Sequence, residues 1–181
     1  MKELLLDVAT VYYGDIDMSN PDNFATILTE EKVLGVTRGG LKVEAKPNIR
    51  EIEFDGRNGK KIAGMDRILG WEVKAETEAL EATPTVFTAN GFVKDSTSST
   101  KFDKYIPGEK LTHKDLVLVG KLYKSDQPCI IHIKNAYSGE GLAFEQKDGE
   151  EAGFKMAFVG AYTLGSDEMP IDVYYPKAPT K

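Results

Sequence analysis

The sequence predicts a mainly β fold: an antiparallel β-sandwich or open barrel with one short flanking helix. Three observations carry that expectation. Apolar and charged residues alternate along several short runs, the period-2 pattern of half-buried strands. Turn-forming dipeptides and stretches rich in Gly, Asn or Ser separate those runs. One segment alone carries both a helix-start and a helix-stop signal, whereas a parallel sheet would need repeated crossover helices.

The elements follow in order. Residues 1–32 mix aromatic and acidic positions around the turn signal Ser19-Asn20-Pro21-Asp22, and are expected to form an N-terminal arm with a first strand. Asn23 to Leu28 fits a strand or one turn of helix equally well. Leu41-Lys42-Val43-Glu44-Ala45 alternates after a flexible Gly39-Gly40 entry. Ile49 to Phe54 then leads into Asp55-Gly56, a dipeptide that favours tight reversal, and Arg57 to Lys60 extends it into a polar loop. The segment 67–80 holds one long strand, which places Trp71, Val73, Ala75 and Thr77 on one face and Glu72, Lys74, Glu76 and Glu78 on the other.

Thr83-Pro84 supplies a capping hydroxyl and a proline suited to a first helical turn, and Asn90-Gly91 is a stop signal. Residues 94–105 form an exposed loop or hairpin whose polar tip is Asp95, Ser96, Thr97, Ser98, Ser99 and Thr100. Strands are expected over 115–123, 129–135 and 154–164. Between the last two lies an acidic loop, 137–153, containing Asp148, Glu150 and Glu151. Ile171 to Tyr175 closes the chain as an edge strand. With 181 residues and no internal repeat, 1–181 reads as a single domain.

Hydrophobic residues make up 41% and charged residues 29%, a globular composition. The net charge of -6 argues against a general grip on nucleic acid, which needs a basic stripe to displace counterions. The lone Cys129 cannot form an internal disulfide and suits a reducing cytoplasm. Leu4-Leu5-Leu6 is too short for a signal-peptide core or a membrane span, so no membrane partner is expected.

Catalytic and metal chemistry is not expected either. The two histidines, His113 and His132, have no four-ligand zinc spacing, and Cys129-x-x-His132 in a strand sends its side chains to opposite faces. A buried thiol and a surface histidine is the simpler reading. Ser98 and Ser99 lack the sharp turn of a nucleophile, and Arg38-Gly39-Gly40 is more simply a turn than a phosphate loop. Asp148-Gly149-Glu150-Glu151 lacks the alternating ligands of a calcium loop and reads as a solvated acidic turn. No cofactor is expected.

The order of motifs from Gly35 to Ala89 resembles the first half of the major tail proteins of long-tailed phages and prophages of Gram-positive bacteria. Gly35-Val36-Thr37-Arg38-Gly39-Gly40-Leu41-Lys42-Val43 is similar to the family's entry, glycine turn and first strand. Pro47 to Gly56 resembles its second strand, Lys61 to Ile68 its glycine-marked link, and Trp71 to Leu80 its long alternating strand before a short helix. What the resemblance implies is a tail-tube-like β-sandwich, six copies to a ring, rings stacked into a hollow tube, and DNA passing through the lumen as non-specific cargo. It also implies tape-measure and tail-terminator proteins as partners, and a place in the virion tail after assembly in the host cytoplasm. Glu72, Lys74, Glu76 and Glu78 become candidate lumen residues, because three carboxylates against one ammonium would repel phosphates; an outer solvated face is the other reading of the same alternation. The 95–100 tip with Asp148, Glu150 and Glu151 becomes a set of candidate assembly loops. Two other expectations stand beside it: a non-enzymatic carbohydrate-binding sandwich, and another virion component such as a decoration or tail-completion protein.

Overall fold

The local signals above fix most strands, but the order in which those strands pair is a property of the folded chain. The computed structural model describes residues 5–55, 58–97, 99–122, 125, 127–145, 148 and 152–177. Along it run β1 (Leu5–Gly14), α1 (Phe24–Ile27), β2 (Thr37–Glu51), β3 (Asp66–Ala79), α2 (Pro84–Ala89), β4 (Phe92–Lys94), β5 (Tyr105–Pro107), β6 (Lys114–Leu122), β7 (Cys129–Ser138), β8 (Ala143–Glu145), β9 (Gly153–Gly160) and β10 (Ile171–Tyr174). Every pairing is antiparallel. The main sheet has the order β1-β6-β7-β9-β3-β2, with β10 beside β7 and β8 beside β9, while β4 and β5 form a separate hairpin.

β7 turns the corner of the sandwich. Its first half pairs with β6 on one edge and β10 on the other, and Tyr137 and Ser138 then pair with Val159 and Phe158 of β9. Between the two halves Asn135 adopts φ 49°, a left-handed conformation that Asn tolerates better than most residues. Its N–H donates to Asp115 Oδ1 at 3.0 Å instead of to a strand carbonyl, at a register shift in the β6–β7 ladder. A strand leaving one layer for another through a bulge is how sandwiches make corners.

The core fills the space between the layers. Val11, Tyr13, Leu116, Leu118 and Ile133 meet Val73, Ala75, Ala79, Phe154, Met156 and Phe158, and the Tyr13 and Phe158 rings lie 5.4 Å apart. α2 closes one end with Val86 and Ala89. The Thr83 hydroxyl oxygen accepts the Val86 N–H at 3.2 Å, and Gly91 follows the helix at φ 81°, so start and stop lie where the sequence signals place them.

The N-terminal arm covers the outer face of β6 and β7. Ile16, Met18 and Leu28 pack there on Val117 and Ile130, and Asn23 to Leu28 resolves into one turn of helix. Burial on both faces explains why β6 and β7 read as nearly unbroken apolar runs instead of alternating ones.

Several expectations change. Residues 41–45 and 49–54 are not two strands. Thr37 to Glu51 is a single strand that passes through Pro47 and takes up Gly39-Gly40 as a bulge, at φ 74° and 79°. The acidic loop is shorter than 137–153, because Tyr137 and Ser138 finish β7, Ala143–Glu145 pairs with β9 as β8, and Gly153 opens β9. β9 stops at Gly160, short of Leu164, which is fully exposed.

Candidate assembly surface

β2 and β3 extend past the body of the protein. β3 pairs with β9 only from Val73 to Ala79, so from Glu72 back to Asp66 it has β2 as its sole neighbour. Seven residues at about 3.3 Å each make a ribbon of about 23 Å. At its base the Trp71 N–H donates to the Tyr162 hydroxyl at 2.6 Å. Beyond that point the ribbon presents Ile49, Ile68 and Leu69 at 53%, 54% and 56% exposure, and the connecting loop adds Ile52, Phe54, Ile62 and Met65. A two-stranded ribbon is marginally stable alone in water, and this one carries its exposed aliphatic side chains on a single projection, which makes it the candidate contact surface.

β2 is also an edge strand, since no described strand pairs with its outer side. Its Gly39-Gly40 bulge and Pro47 interrupt the row of backbone groups it offers. Such interruptions limit indiscriminate strand addition.

The charged face of β3 lies as the alternation requires: Val73, Ala75, Thr77 and Ala79 are buried, while Glu72, Lys74 and Glu76 are exposed and Glu78 is half-buried. The excess of acid is confined to β3. Across the register Arg38 faces Glu78, Lys42 faces Glu76, Glu44 faces Lys74 and Lys46 faces Glu72, so the two strands together carry four basic and four acidic residues on this face. Lys74 contacts Glu72 at 2.6 Å, and Glu44 contacts Lys42 at 2.8 Å and Lys46 at 2.7 Å. Those lysines hold the Glu44 carboxyl down to about 2. The face is a balanced ladder, not the acidic wall that β3 suggests by itself.

The polar tip at 95–100 belongs to the β4–β5 hairpin, and ion pairs hold it. Lys94 meets Asp103 and Lys104 meets Asp95, both at 2.8 Å, and Ser99 Oγ accepts the Phe102 N–H at 3.0 Å. The Lys104 ammonium and the Thr97 amide keep the Asp95 carboxyl well below the usual carboxylate range. Ser98, Glu150 and Glu151 lie outside the described residues; Ser96, Thr100 and Asp148 are exposed. Phe102 stands 76% exposed beside the tip, an apolar feature that a reading based on the loop's polarity overlooks.

His132 is not a surface residue. It is 5% exposed, on the outer face of β7 beneath the N-terminal arm, and strand parity sends Cys129 to the opposite face. Nε2 lies 3.1 Å from Asp115 Oδ2 without the alignment of a hydrogen bond, and neither ring nitrogen has a hydrogen-bond partner among the described residues. The histidine lines a recess of about 460 Å³ together with Asp17, Asp115, Lys134, Glu168 and Asp172. No sequence signal marks this site, because its carboxylates come from three stretches far apart in the chain: the N-terminal arm, β6, and the segment 168–172. Among the described residues no group of three or more His, Cys, Asp or Glu side chains is placed to hold a metal ion. No helix of the described chain is long and apolar enough to cross a membrane. No protein-family model matches the chain, and no curated protein matches it either.

Proposed function

We propose that this chain is a structural subunit that assembles with copies of itself, in the manner of a phage or prophage tail tube protein. The observation that carries the reading is the β2–β3 ribbon, which projects beyond the core with its aliphatic side chains uncovered. In a monomer it is a liability, whereas in a ring or stack a neighbouring copy buries it. The separate β4–β5 hairpin, with Phe102 exposed beside its tip, offers a second uncovered apolar side chain. The motif order from Gly35 to Ala89 adds the tail-tube likeness, and with it a virion tail location, DNA as cargo, and tape-measure and terminator proteins as partners. We assign the β2–β3 charged face to the lumen, where its balanced ladder gives a passing polyanion no net charge to adhere to.

A carbohydrate-binding sandwich would gather exposed aromatics into one platform. Among the described residues the exposed aromatics Phe54, Phe102, Phe144, Tyr162 and Tyr175 come from five separate segments, and no strand presents two of them in a row. Negative-stain microscopy and sedimentation velocity of concentrated protein test the reading. Rings or tubes are expected, and a strict monomer at every concentration would overturn it.

A further inference from the structure

We infer that the arginine pair on the β2–β3 ribbon of one copy seats in the acidic recess of a second copy, an inference that rests on the self-assembly reading. Arg50 and Arg67 are direct cross-strand partners, so their side chains leave the same face of the ribbon side by side. Like charges so placed destabilise a sheet unless something lies between them. Both are exposed, and neither side chain has an ion pair or hydrogen bond among the described residues. Their groove also holds Glu51 and Glu53, and Glu51 is engaged by Lys61 at 3.4 Å.

The recess has the complementary deficit. Its four carboxylates, Asp17, Asp115, Glu168 and Asp172, face one ammonium, Lys134, which lies 2.8 Å from Asp172 and 3.8 Å from Glu168. Four negative charges and one positive leave three uncompensated when His132 is neutral. Asp115 spends Oδ1 on the Asn135 N–H, and Oδ2 accepts no hydrogen bond there. His132 forms a buried wall of the recess, and neither of its nitrogens is satisfied.

What such a site lacks is a donor-rich cation. A guanidinium brings five N–H groups and no acceptor, can grip a carboxylate bidentately, and can donate to the lone pair of a neutral imidazole. A metal ion suits the recess less well, since among the described residues no three ligating groups converge. The apolar walls, Ile16, Met18 and Tyr174, suit the aliphatic stem of an arginine. Ribbon and recess are different surfaces of the chain, so their contact is head-to-tail and propagates from copy to copy into a ring or a filament.

Paired charge reversals test this. One variant carries R50E and R67E, the other D17K and E168K, and folding of each is confirmed by circular dichroism. Each alone is expected to lose assembled material in sedimentation velocity. An equimolar mixture is expected to recover it, because the unchanged recess of the first meets the unchanged ribbon of the second, and the two reversed surfaces meet each other. If the wild-type chain assembles and either variant assembles as well as it does, or the mixture stays monomeric, the inference falls while the self-assembly reading stands. If the wild-type chain never assembles, the reading falls first. Should a reversal fail to fold, Arg67→Cys with Glu168→Cys in one chain, treated with a short bis-maleimide, decides: a ladder of multimers supports the contact, and monomer alone overturns it.

Discussion

Replacing Gly160 with alanine probes the point where the ribbon leaves the body. Gly160 pairs with Val73, the last position at which β9 supports β3. A Cβ at this position would lie 2.8 Å from Ile133 Cγ2, 3.3 Å from Val73 Cβ and 3.4 Å from the Pro170 carbonyl oxygen. Carbon atoms in contact prefer about 3.5–4.0 Å, so the shortfall against Ile133 is roughly 1 Å. Ile133 and Val73 are 0% exposed and Pro170 is fully buried, so none of the three can swing into solvent. Forcing extra volume into a packed interior costs about 1–3 kcal/mol. A chain of this size loses about 2–4 °C in Tm per kcal/mol, which places the expected drop at roughly 2–12 °C. Gly139→Ala is the control, because its new methyl meets only the Tyr137 ring, at 3.8 Å. It should change stability by no more than about 1 kcal/mol. Thermal denaturation followed by circular dichroism reads both. A Gly160→Ala variant that melts with or above the wild type would show that the corner is looser than these distances require.

Three further outcomes are expected. Burial pushes the Cys129 thiol up, so a thiol reagent should label the native chain slowly at mildly alkaline pH and the denatured chain at once; equal rates would contradict the burial. Glu44 should titrate near 2 by NMR, and replacing Lys42 and Lys46 with Gln should return it toward its ordinary 4.5. Since its folded value is the lower one, its contribution to stability is present above the ordinary value and disappears as pH falls toward 2, and the pair's exposure makes that contribution sensitive to salt. Changing Glu72, Glu76 and Glu78 to Lys turns a face of four basic and four acidic residues into one of seven and one. The variant should melt lower than wild type at about 0.01 M salt and recover much of the loss near 1 M, as the screening length falls from about 30 Å to about 3 Å; a salt-independent Tm difference would remove charge repulsion as the cause.

The features legible in the sequence are those decided within one element. The alternation from Trp71 to Glu78 gives the faces of β3, because side-chain direction along a strand depends on the strand alone. Thr83-Pro84 and Asn90-Gly91 likewise give α2, because caps act within a turn. Contacts between elements are where the reading stops. Residues 41–45 and 49–54 look like two strands, since Pro47 cannot donate to a ladder; yet β2 continues through it, because β2 lies at the edge of the sheet and has a neighbour on one side only. His132 looks like a surface histidine until the N-terminal arm, more than a hundred positions away in the chain, is laid over β7. The same limit separates the acidic strand that the sequence suggests from the balanced ladder of the fold. Three Glu and one Lys on β3 become neutral once Arg38, Lys42, Glu44 and Lys46 are set opposite them, and that register depends on the hairpin and its bulges. Arg50 and Arg67 show the reverse. As isolated residues they are ordinary surface charges, and the register that sets Lys42 opposite Glu76 sets these two arginines side by side.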